Sequence, residues 1–155
     1  MSWTKDAPLE VALDRLEWAL GKAATRYYER DTLPPLTRAL ISVEKALLSH
    51  AAAADGPDGA FTRLIDPETL PFTPLAQHVG ELRQEHLALH RRGASLRRQL
   101  ESALRSVPPD AGPPDAAEAA LRDHVADLGR RCRKLLADIQ CHWLNEKNLI
   151  RSSAM

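Results

Sequence analysis

Leucine returns along this chain at steps that alternate between three and four residues, and that rhythm decides the fold class. Leu9, Leu13, Leu16 and Leu20 fall on one stripe, continued by Ala23 or Ala24 and Tyr27. Leu36, Leu40, Val43, Leu47, His50 and Ala54 form a second. A third runs through Leu75, Val79, Leu82, His86, Leu89, Gly93, Leu96, Leu100, Ala103 and Val107. The fourth is Leu121, Val125, Leu128, Cys132, Leu135, Ile139, His142, Glu146 and Leu149. This spacing puts every member of a stripe on one helix face, the seam of a helical bundle. Strands would need a period of two and β-branched residues, and here the apolar content is mostly Leu and Ala.

Breakers separate the stripes. Asp31 to Pro35 interrupts the first two, Asp55-Gly56-Pro57-Asp58-Gly59 ends the second, and Pro108 to Pro114 divides the third from the fourth. Helices are expected over about 6–30, 34–54, 74–106 and 115–150, with 151–155 a frayed tail. Asp6 is the expected N-cap of the first, Thr73 before Pro74 that of the third, and Asp115 with Glu118 a capping box for the fourth. The stretch from Ala60 to Phe72 holds Pro67 and Pro71 and reads as a loop with at most a short helical turn near Phe61 to Ile65. Residues 1–150 thus read as one all-α domain, an up-down-up-down four-helix bundle. At 155 residues it can bury a core without staples.

Several classes are excluded. Lys plus Arg equals Asp plus Glu at 21 each, so no whole-molecule field draws the chain to nucleic acid or membrane. No stretch reaches the roughly 20 apolar residues of a membrane span. Met-Ser-Trp-Thr-Lys-Asp has no apolar run of a secretory leader, and Ser2 excludes myristoylation. Cys132 and Cys141 lie nine positions apart on one helix, too far to bridge. A reduced, cytoplasmic protein is expected. Arg91, Arg92, Arg97 and Arg98, with Arg130, Arg131, Arg133 and Lys134, form a basic band whose stronger reading is a solvated face balanced by Glu10, Asp14 and Glu17. Nucleic acid is therefore not the expected partner. Trp18, off its seam, and Trp3 mark an oligomer or protein contact, or simply single exposed apolar residues.

The seams are not uniformly apolar. His50, His86, His142 and Glu146 stand where leucine belongs. A buried polar group is costly without a partner. Imidazoles from three helices with a carboxylate are a set that holds a transition metal in a bundle core. His90 is one turn from His86, and His142 and Glu146 are a second i, i+4 pair. Each also has a plain reading: His50 capping carbonyls near a helix end, and His142 hydrogen-bonded to Glu146 without metal. His78 and His124 flank their seams. Counted from the loop between the first two helices, His50 and His142 differ in height by roughly 16 Å. One centre would need the fourth helix to start about two turns below its neighbours. No nucleophile–base pair is evident, so binding or sensing is expected rather than enzymatic turnover.

From Leu47 onward the order resembles the hemerythrin-like (HHE cation-binding) family. The matching stretches are Leu47-Leu48-Ser49-His50, Glu81 to His90 with its Arg-Gln-Glu-His string, and His142-Trp143-Leu144-Asn145-Glu146. The resemblance implies a four-helix bundle with a non-haem iron centre for oxygen or metal sensing, and His50, His86, His90, His142 and Glu146 as ligands. The chain departs from the pattern: no histidine in the first helix, Ala54 where an acid follows the first histidine, and Lys147 five places after His142. A mononuclear iron or zinc site, or no metal, fits these departures better than a di-iron centre. A metal-free structural or interaction bundle is the second reading.

Overall fold

A computed structural model describes residues 7–65, 73–106 and 116–153, and the side chains of 116–118 lie outside that description. The elements are α1 (Ala7–Thr25), a short 3-10 turn (Arg30–Thr32), α2 (Leu33–Asp55), α3 (Ala60–Leu64), α4 (Pro74–Ser106) and α5 (Ala116–Ser153). Each long helix packs against two others: α1 on α2 and α5, and α4 on α2 and α5. That ring of sequence neighbours, closed by α1 against α5, is an all-α four-helix bundle. No helix among the described residues is long and apolar enough to cross a membrane.

The leucine stripes form the core. Leu9, Leu16, Leu20, Leu36, Leu40, Leu100, Leu128, Leu135 and Ile139 are essentially inaccessible. A smaller cluster of Ala54, Phe61, Val79, Leu82 and Leu149 closes one end, where α3 lays Phe61 against the bundle. The expected turn in the α2–α4 connection is therefore a real helix of five residues. At the start of α4, Thr73 caps as expected: its hydroxyl accepts from the Ala76 amide at 3.1 Å. The caps expected at Asp6 and at Asp115 with Glu118 lie outside the described residues.

Two boundaries differ from expectation. Helix α1 ends at Thr25 instead of Arg30, and Tyr27 is 81% exposed instead of seated on the seam. Tyr27 and Tyr28 adopt φ of 54° and 55°. The Tyr28 amide bonds the Ala23 carbonyl at 2.7 Å and the Tyr27 amide the Ala24 carbonyl at 3.2 Å. This is a Schellman stop with tyrosine where glycine is usual, which sequence alone does not announce. At the other end, α5 continues to Ser153 rather than fraying at Arg151. Ser152 and Ser153 hydroxyls donate back to carbonyls of that last turn, both reaching Leu149.

Five of the eight residues of the basic band are ion-paired within the bundle, and among the described residues none of them meets the acids of α1. Arg92 and Lys134 meet Asp138, Arg97 meets Glu44 and Glu101, and Arg130 and Arg131 meet Asp127. The cysteines are free; Cys141 is exposed, while burial pushes the Cys132 thiol up to about 12.

Candidate metal centre

Between the main core and the Phe61 cap lies a polar layer. His50 enters it from the last turns of α2, His86 from α4, and His142 and Glu146 from successive turns of α5. One potential ligand atom from each of these four residues falls within 4.8 Å of the other three. The first described α5 side chain that is fully buried is Val125; Ala119, Ala120, Arg122, Asp123 and His124 are all exposed. Leu121 already packs against the main core, and the convergence of the four ligand atoms puts His50 and His142 at one level, as a single centre requires. The 16 Å height difference expected between His50 and His142 is thereby removed.

Glu146 is the hub. Its Oε2 accepts from His50 Nε2 at 2.6 Å, and its Oε1 accepts from His142 Nε2 at 2.8 Å and also from His86 Nε2. Three imidazoles therefore present the same ring nitrogen to one carboxylate, and each must carry its proton there to donate. His86, His142 and Glu146 are buried, at 4–5% exposure. Burial works to raise the carboxyl pKa of Glu146, but the hydrogen bonds from His142, His50 and His86 overcome it and hold the group ionised, well below the usual carboxylate range.

His142 differs from the other two. Its Nδ1 lies 2.5 Å from Oε2 of Glu85, a half-exposed residue beside His86 on α4. Both ring nitrogens thus face carboxylate oxygens. Burial lowers its pKa, but the bonds to Glu146 and Glu85 outweigh burial and raise it. His86 has no such outer partner: its Nδ1 is buried without a hydrogen bond, and its ring stacks on Phe61 with centroids 5.6 Å apart.

These four side chains can hold a metal ion. Tetrahedral imidazole and carboxylate ligands at about 2.0–2.2 Å from a metal stand roughly 3.3 Å from one another. To reach that spacing the contacts of Glu146 with His50 and His142, at 2.6 and 2.8 Å, would open, and the wider separations, up to 4.8 Å, would close. The donor chemistry fits too, since imidazole with carboxylate suits Fe, Zn, Cu or Ni. A metal would take the three Nε2 lone pairs and a Glu146 oxygen. Glu85 would then hold His142 by its Nδ1–H, the outer-sphere carboxylate common behind metal-bound histidine.

His90 lies outside the convergent group. It is half-buried one turn farther along α4, about 6 Å from the level of His86. Ala54, where the hemerythrin-like pattern has an acid, is buried in the Phe61 cluster. No described acid other than Glu146 joins the group. Glu85 escaped the sequence reading because it is off the seam. Its signal was adjacency to His86 on the helix edge facing α5. No family model, curated protein or solved structure matches the chain.

Proposed function

We propose that this protein is a hemerythrin-like bundle that binds one transition-metal ion, iron or zinc, through His50, His86, His142 and Glu146. Its role is binding or sensing rather than enzymatic turnover. The observation that carries this reading is the convergence of three Nε2 atoms from three helices on one buried carboxylate. A polar layer of this kind is costly in a leucine core, and metal binding is a reason to keep it. A bound divalent ion would supply Lewis acidity and, if iron, a redox couple. The protein's part is to fix ligand geometry, exclude bulk water with Phe61 and Leu82, and hold the His142 tautomer through Glu85. One acid at the hub supports a mononuclear site, so the resemblance extends to the bundle and its histidine order rather than to a carboxylate-bridged pair of irons.

A second reading rests on a specific observation: Glu146 already accepts from the Nε2 of all three imidazoles. On that reading the layer is a structural network in a metal-free bundle. Metal analysis of protein purified without a histidine tag separates the two. The metal reading expects close to one iron or zinc per chain, retained on gel filtration and lost in His86→Ala and His142→Ala. Protein that remains metal-free after loading with Fe(II) and with Zn(II) would overturn it.

A further inference from the structure

The outer face of α1 carries the largest exposed apolar side chain among the helices of the bundle. Trp18 is 63% exposed and Val11, two turns earlier on the same face, is 47% exposed. They edge a groove between α1 and α2 floored by Ala19, Pro35 and Ala39. Asp14 and Arg15 lie midway between Val11 and Trp18, and both also line the groove. All four are exposed. Among the described residues neither charge has an ion-pair partner, unlike Arg92, Arg97 and Arg131 of α4 and α5.

The order apolar, acid, base, apolar is its own complement when reversed. Lay a second α1 antiparallel on the first, with the two-fold axis passing between Asp14 and Arg15. Val11 then comes level with Trp18 of the second copy, and Asp14 with Arg15 of the second copy. By symmetry each contact occurs twice. A parallel arrangement would instead set Asp14 against Asp14 and Arg15 against Arg15, which like charges oppose. Arg38, on the α2 wall, is the remaining charge of the groove and stays exposed at its margin.

We infer that this face is an isologous interface between two copies of the chain, built on paired α1 helices with Trp18 as its anchor. Aromatic side chains in apolar grooves are the usual energetic centre of such contacts. The inference does not depend on the metal reading, because the α1–α2 groove shares no residue with the His/Glu layer.

The test is sedimentation velocity on the full chain over a concentration series, with four variants at exposed positions. The wild type should dimerise, and Trp18→Glu should be monomeric at every concentration where the wild type is dimeric. Asp14→Arg and Arg15→Asp should each weaken the dimer at least about tenfold, since each sets like charges together twice. The double variant Asp14→Arg/Arg15→Asp restores opposite charges across the axis and should recover affinity to within a few-fold of wild type. A wild type that stays monomeric to about millimolar concentration overturns the inference. So does a dimer that survives Trp18→Glu, or a double variant no stronger than the singles. Thermal melts of the same samples confirm that each variant is folded.

Discussion

His142 Nδ1 and Glu85 Oε2 lie 2.5 Å apart, joining the buried His/Glu layer to a half-exposed carboxylate on the neighbouring helix. This bond fixes the ring so that Nε2 points to Glu146. A metal-bound histidine needs that tautomer and orientation, and loss of an outer carboxylate commonly costs 10–100-fold in metal affinity. Glu85→Gln keeps an acceptor but removes the charge, so Zn(II) affinity by competition titration should fall about tenfold. Glu85→Ala removes both and should fall closer to 100-fold. Glu81→Gln, one turn away and outside the layer, is the control. Equal affinities for wild type and Glu85→Ala would remove Glu85 from the site.

The opposed shifts of Glu146 and His142 define a pH window for the metal-free protein. Glu146 is lowered on folding, so its stabilisation is present above its unfolded pKa, about 4.3, and fades as pH falls below that. His142 is raised, so its stabilisation is complete below its unfolded pKa, about 6.5, and is lost as pH climbs through the higher folded value. The layer should contribute most between about pH 4.5 and 6.5. Metal requires the Nε2 proton of His142 to leave, so the Zn(II)-induced rise in Tm should grow over the range where the metal-free protein weakens. Melts with chelator from about pH 3 to 8.5, and with Zn(II) from about pH 5 to 8.5, test both limbs. Identical alkaline limbs in wild type and His142→Ala would rule out His142 as their source.

How far the chain could be read without coordinates depended on what each feature rests on. The seams were legible because a 3.6-residue period is a local property, and Leu36 to Leu47 and Val125 to Ile139 are buried as their spacing implies. His50, His86, His142 and Glu146 stood out for the same reason, as polar members of apolar rows. Their meeting was not legible. It depends on the level of α5 against its neighbours, which is set by packing across the whole bundle. Glu85 was missed because an off-seam acid looks like ordinary solvated charge until a neighbouring helix is placed against it. The early stop of α1 was hidden because Tyr27 and Tyr28 carry no glycine signal.

A layer kept for binding should cost stability. Replacing one member leaves its partners buried and unpaired, typically about 3–5 kcal/mol, whereas exchanging a whole buried ionic cluster for apolar residues is often neutral or stabilising by about 1–4 kcal/mol. Glu146→Leu alone should therefore destabilise the metal-free protein severely. The fourfold variant His50→Leu/His86→Leu/His142→Leu/Glu146→Leu should melt at or above wild type and bind no metal. Urea unfolding in chelator measures both. A fourfold variant much weaker than wild type would mean that the layer supports the fold itself.

Two helical glycines should respond in opposite directions to the same change. A Cβ at Gly93 would sit 3.6 Å from Glu44 Cγ and 3.7 Å from Leu135 Cδ2, ordinary contact distances. Nothing at this point therefore demands glycine. Gly93→Ala should gain most of the helix-propensity difference, about 0.5–1 kcal/mol. At Gly129 the added carbon would lie 2.5 Å from Tyr28 Cε1 and 2.6 Å from its hydroxyl. Tyr28 cannot withdraw freely, because its backbone is held in the left-handed stop that ends α1. Its ring must leave the α5 surface, so Gly129→Ala should destabilise by about 1–2 kcal/mol despite the better propensity. In a Tyr28→Ala background the clash is gone, and Gly129→Ala should become stabilising as Gly93→Ala is. Urea denaturation of the four single and double variants reads the sign directly. A Gly129→Ala effect unchanged by Tyr28→Ala would show that the ring is not what the glycine accommodates.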